Sequence, residues 1–302
     1  MKTLLFCSFL VCNSQLVWAQ VPAAMAYSQA KEAYKSKDFN KAGELVDQAL
    51  KQKKLATVPK LYWAAQTWAQ AGRVDNAFRY LNATVRAGFD DLTQLQSDSL
   101  LRPLHPDRRW PRLLATVAKM DAALDQPLKK ELAEIHRADQ NIRIKIREEE
   151  KKSGPVSPAV EALEAQMDKV DEQCLAQVLA ILDRQGWPST QLVGREGLHT
   201  IYLVIQHAPP SVQRKYLPML QASAKRGELE WSSVALTEDR VLSGLGKPQV
   251  YGSQVRLNKE TKKYELYPIE DEARVDERRA AIGLEPLATY AKRYGISYKP
   301  TK

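Results

Sequence analysis

Lys37-Asp38-Phe39-Asn40-Lys41-Ala42 and Gly72-Arg73-Val74-Asp75-Asn76-Ala77 carry the same instruction twice: a polar turn, an apolar residue, and an alanine three positions later. Each turn sits between two amphipathic stretches. Before the first, Tyr27, Ala30, Ala33 and Tyr34 recur at helical spacing; after it, Ala42, Leu45, Val46, Ala49 and Leu50 resume that spacing. Before the second come Ala64, Ala65 and Trp68, and after it Ala77, Tyr80, Leu81 and Val85. Residues 24–50 and 61–85 therefore read as two helical hairpins. Ala42 and Ala77 are equivalent, 35 residues apart (77 − 42 = 35). Small residues belong there because two helices cross at short range.

That spacing is close to the roughly 34-residue tetratricopeptide period. Phe39 with Ala42, and Gly72 and Val74 with Ala77, resemble the turn and close-packing positions of that repeat family. Downstream, Ala87-Gly88-Phe89-Asp90-Asp91 leads to an apolar set of Leu100, Leu101, Leu104, Trp110, Leu113 and Leu114. It resembles an end-of-array cap. The last face of a repeat array is apolar and needs a cover.

The second half begins near residue 122 and changes character. A helix is expected from about Leu128 to Glu150, a breaker at Ser153-Gly154-Pro155-Val156-Ser157-Pro158, and a second helix over 158–185. Leu163, Met167, Val170, Cys174, Val178, Ile181 and Leu182 mark the buried face of that second helix. Further helices are expected after Val193-Gly194, over 212–226 with Ser211 as N-cap, over 231–242, over 271–282 and over 287–294. Around Gln249–Ile269 the period becomes two, a β-hairpin signal. The fold class is thus mainly α: helical hairpins of tetratricopeptide type, then a helical domain carrying a small β-hairpin. The expected divisions are 1–19, 20–121 and 122–302.

The set Ala138-Asp139-Gln140-Asn141-Ile142-Arg143, Gly186-Trp187-Pro188, Gln206-His207-Ala208, Glu238-Asp239-Arg240, Gly246 to Gln254 and Gly283-Leu284-Glu285-Pro286-Leu287, in that order, resembles a bacterial family catalogued as domain of unknown function 6624. The resemblance spans roughly residues 128–295 and implies no established activity.

The N-terminus reads as a secretory signal. Lys2 supplies the charge, Leu4 to Val11 the apolar run, and Val17-Trp18-Ala19 the small residues before cleavage at Gln20. Val11 stands where a lipidated Cys12 would need a small neighbour. An exported, periplasmic or secreted protein is expected, with Cys174 alone remaining of the three cysteines and reading as a small buried hydrophobe. Hydrophobic residues make up 44% and charged residues 27%, which excludes wholesale disorder. The net charge is +9, or +8 after loss of Lys2 (9 − 1 = 8), which suits contact with anionic envelope polymers or headgroups. Basic and acidic residues interleave, as in Lys145 to Lys152, which argues against nucleic acid.

Candidate chemistry concentrates in the second half. His207 ends a helix, where it either caps carbonyls or transfers protons. Asp239 is its expected catalytic companion. Asp139, Arg143, Arg240, Gln249, Tyr251 and Gln254 are the expected substrate-binding set, with Gly252 as the natural bulge that would gather the amides and the phenol. Asp139 with Arg143, four apart, equally forms a structural ion pair, and Asp239 with Arg240 equally braces the hairpin. Glu196, His199 and His207 lack a standard ligand spacing, so no metal is expected, and no glycine-rich nucleotide loop or other cofactor signature is present. The function expected is a polar ligand or substrate pocket with acid/base chemistry at His207. The alternative is a non-catalytic envelope interaction module that holds a protein or peptide partner on the repeats.

Overall fold

The computed structural model describes residues 23–51, 56–154, 156–258, 260–261 and 263–299. The signal-peptide reading of 1–19 lies outside them, as do Lys259 and Lys262 of the expected hairpin loop and Pro155 of the expected breaker.

The chain is mainly α, with one small antiparallel hairpin among the described residues. Helices α1 (Ala23–Lys35) and α2 (Phe39–Leu50) pack as one hairpin, α3 (Val58–Gln70) and α4 (Val74–Arg86) as the next. Asp38 caps α2 by accepting from the Lys41 amide. Ala42 and Ala77 are fully buried, as their place at the crossing requires. Gly43 is needed too: a Cβ there would meet the Trp68 indole at 2.6 Å. The segment expected as a cap forms α5 (Leu92–Ser97), a 3₁₀ turn (Ser99–Leu104) and α6 (Arg109–Ala122). Leu101, Leu104, Trp110 and Leu113 are buried in the same apolar cluster as the hairpins, with Leu114 packed against it; Leu100 is half-buried.

A second cluster, sharing no residue with the first, is built by α7 (Gln126–Ser153), α8 (Pro158–Gln185), α9 (Thr190–His207), α10 (Pro210–Lys225) and α11 (Trp231–Gly244). On α8, Cys174, Val178, Ile181 and Leu182 are buried, and Leu163, Met167 and Val170 partly so. Gly194 breaks α9 with φ 74°, so the helix restarts at Arg195. At that restart the Asp90 carboxylate, from the turn after α4, accepts the Arg195 amide at 3.1 Å. A residue of the first half thus caps a helix of the second.

Three expectations are corrected. Helix α10 starts at Pro210 with Pro209 before it, so Ser211 is inside the helix; proline's fixed φ suits the first helical position. The segment expected over 271–282 is a 3₁₀ turn (Glu272–Arg274) followed by α12 (Val275–Ala281), because Asp271 adopts a left-handed conformation, φ 41°. The β-hairpin is shorter than its alternation suggested: β1 (Val255–Leu257) pairs with β2 (Tyr264–Leu266), and only a single bridge joins Gln249 to Ile269. The amides of 250, 251 and 253 are taken by a carboxylate rather than by a neighbouring strand. Helix α13 (Leu287–Lys292) closes the fold.

Candidate functional site

His207 is the last residue of α9. A helix end leaves carbonyls in need of donors, and here other side chains supply them. Arg240 of α11 donates from Nη1 to the Gln206 carbonyl at 2.8 Å. Gln213 of α10 donates from Nε2 to the carbonyls of Gln206 and Ala208, at 2.8 and 2.9 Å. The imidazole is therefore not spent on capping. Its Nδ1 lies 3.0 Å from Oδ1 of Asp139 on α7.

Asp139 is 1% exposed. Besides His207, it accepts from Gln140 Nε2 at 2.6 Å and pairs with Arg143 at 3.2 Å. Burial pushes its carboxyl up, but the His207 hydrogen bond and the electrostatic pull of its neighbours, Arg143 among them, outweigh burial and leave it below the usual carboxylate range. An ionised Asp139 can only accept, so the Nδ1–H of His207 donates to it and the lone pair of the neutral imidazole is left on Nε2. Arg143 reaches on to Asp171 of α8, its Nη2 2.9 Å from Oδ2.

An open cleft of about 700 Å³ is lined by Arg143, Asp171, Gln206, His207, Gln213 and Arg240, among others, with the buried Asp139 behind His207. Three helices distant in sequence thus bring an acid, a base and two guanidinium groups together. The side-chain donor atoms of Asp139, Asp171 and His207 all lie within 4.8 Å of one another, close enough for three ligands of one cation. The Arg143 guanidinium already holds the two carboxylates together from between them. His199, weighed with Glu196 and His207 as a ligand set from the sequence, stacks on Tyr202, and burial lowers its pKa.

The remaining expected residues serve the loop beyond the cleft. Asp239 is fully buried and accepts from the amides of Val250 (2.7 Å), Tyr251 (3.1 Å) and Ser253 (2.9 Å). Asp239, expected as a catalytic group, thus has its carboxylate engaged by the loop amides. Gln249 is also buried. Its Nε2 donates to the carbonyls of Gln254 and Tyr267, and its Oε1 accepts the Gln254 amide, so it closes the loop. Tyr251 offers its amide to Asp239 and its carbonyl to Arg279; its phenol does not line the His207 cleft. Gly252, expected as a strand bulge, lies outside β1 in the loop, with a left-handed φ of 68° and packed against Leu287 and Ile269. Gln254 is the link between the two groups: its Oε1 accepts from Arg240 Nε at 3.4 Å. Asp171 and Gln213 were not singled out in the sequence. The signal that would have found Asp171 is the run Asp168, Asp171, Glu172, one helical turn of acid on a long helix.

A family model described as "Family of unknown function (DUF6624)" matches residues 126–299. The chain belongs to this family. The match covers α7 to α13, hence every residue of the cleft and of the Asp239 loop. No curated protein and no solved structure matches the chain. Among the described residues, no helix is long and apolar enough to cross a membrane.

Proposed function

We propose that the cleft of the DUF6624 domain binds a small polar substrate and that His207 moves a proton in it, with Nε2 as general base. The observation that carries this reading is the 3.0 Å contact between His207 Nδ1 and the buried Asp139, at a helix end whose carbonyls are capped by Arg240 and Gln213. A buried carboxylate behind an imidazole fixes its tautomer and favours the imidazolium that forms on proton uptake. Arg240, steadied by Gln254, is the substrate-binding cation. Arg143 and Asp171 hold Asp139 in place.

The test is a panel of chromogenic esters, phosphomonoesters, glycosides and peptide anilides presented to the full chain. Turnover of one class should fall by about 10²–10⁴-fold in His207→Asn. Asp139→Asn should lower it as well, by favouring the other tautomer. A wild type inert across the panel, or variants that match it, would defeat the reading.

We further propose that residues 1–19 direct export and are removed, leaving Gln20 as the first residue in the periplasm or outside the cell. Mass spectrometry of envelope fractions checks this, and an intact Met1 form would reject it. The hairpins α1–α4 we propose to be tetratricopeptide-like and to form, with their cap, a unit dividing from the rest near residue 122. The Asp90 contact with the Arg195 amide favours a platform for the second unit over a free peptide-binding face.

A further inference from the structure

The walls of the His207 cleft differ in what they leave unmet. On α8, Asp168, Asp171 and Glu172 lie at i, i+3 and i+4, so they share one face. Asp168 and Glu172 make no hydrogen bond or ion pair among the described residues, and both line the cleft. Asp171 gives Oδ2 to Arg143, while its Oδ1 has no partner. A second orphan belongs to α10: Gln213, 3% exposed, has no partner for Oε1. Its orientation is fixed, because Nε2 is the end that meets two carbonyls. Both orphans are therefore acceptors, and buried acceptors are rarely left without a donor. The α11 wall is the reverse. Arg240 uses Nε and Nη1, and its Nη2 has no partner among the described residues.

We infer that the cleft takes a ligand carrying both a cationic amine and a carboxylate, an amino acid or short peptide. The amine meets the acidic face of α8 and the carboxylate meets Arg240. The side chain of Asp171 is 22% exposed, and its terminal torsion is soft enough to turn Oδ1 toward an entering ammonium. Arg240 presents a planar fork suited to a carboxylate. The inference rests on the cleft being the working site, as proposed above, and adds the class of molecule that fills it.

The probes are glycylglycine, N-acetylglycylglycine, which lacks the ammonium, and glycylglycinamide, which lacks the carboxylate. Each is titrated calorimetrically into the full chain. Glycylglycine should saturate, and each blocked form should bind at least about tenfold more weakly, as loss of one charged contact implies. Asp171→Asn should remove the discrimination against the acetylated form, and Arg240→Gln that against the amide. The three probes decide the matter on wild-type protein alone, so a variant that misfolds does not rescue the inference. Equal binding of all three, or no saturation by glycylglycine at tens of millimolar, overturns it. Failure here is separable from failure of the acid–base reading. His207-dependent turnover of an uncharged substrate without glycylglycine binding sinks only this inference; glycylglycine binding with no turnover across the panel sinks only the other.

Discussion

Replacing Asp239 with asparagine changes no volume, so its effect isolates the hydrogen bonds to the loop at 250–253. In the native protein three amides converge on the carboxylate, and Tyr251 reaches both oxygens, at 3.1 and 3.2 Å. Hydrogen bonds to a charged acceptor contribute about 1.5–3 kcal/mol each. Asparagine keeps one oxygen and turns an NH₂ toward either Val250 or Ser253, which sets donor against donor. One bond is lost and one amide stranded. The Ser253 side is 5% exposed, so water does not readily replace the loss there. Relief from burying a charge acts in the opposite direction. The net expectation is a destabilisation of about 2–4 kcal/mol. For a unit of this size that lowers Tm by roughly 4–16 °C. Differential scanning calorimetry and urea titration of the Asp239→Asn chain, beside His207→Asn as a cleft control, measure it. A change below about 1 kcal/mol would refute the anchoring argument and return Asp239 to the list of groups kept for chemistry.

Asp90 gives a pH prediction. Burial raises its carboxyl from 3.8 to about 6 despite the Arg195 amide. A raised folded pKa contributes stability below pH 3.8 that is lost as pH rises through about 6. Asp90→Asn, which keeps an acceptor for Arg195, should therefore gain on the wild type between pH 4 and 7, by at most about 3 kcal/mol; an unchanged difference across that range would contradict it. Gly252→Ala should cost about 2–3 kcal/mol, from left-handed backbone strain and a Cβ 2.9 Å from Leu287, and equal stability would show that the loop gives way. Cys174 is buried and its thiol is pushed up to about 11, first by burial and then by Asp139 and Asp171. It should resist a disulfide reagent in the folded chain and react on unfolding in urea, whereas rapid labelling of native protein would contradict its burial.

Local patterns carried most of the fold. The boundaries of α8, the hairpin turns near Asp38 and Arg73 and the apolar cap all follow from spacing and breakers within a few residues. The β-hairpin shows where such reading stops. Alternation from Gln249 to Leu257 predicts a strand, yet strand pairing needs free amides. A buried aspartate ten residues upstream of Gln249 claims those amides first. Period alone does not reveal that competitor, since Asp239 lies on a different helix.

The site was legible in its members and not in its partnerships. Asp139, Arg143, His207 and Arg240 stand out as polar residues in a helical frame, but their roles depend on which carbonyl or carboxylate each one meets. His207 meets Asp139 across 68 positions, and Arg143 meets Asp171 across 28. The decisive ambiguity was whether a histidine at a helix end caps that end. Sequence offers both answers, because any donor near the last carbonyls will serve. The structure resolves it by supply: Arg240 arrives from 34 positions downstream and Gln213 from seven, and together they satisfy the Gln206 and Ala208 carbonyls. Once those acceptors are filled, an imidazole bonded by Nδ1 to a buried carboxylate gains nothing further from the helix end. Its other nitrogen makes no hydrogen bond among the described residues, and the residue lines the cleft.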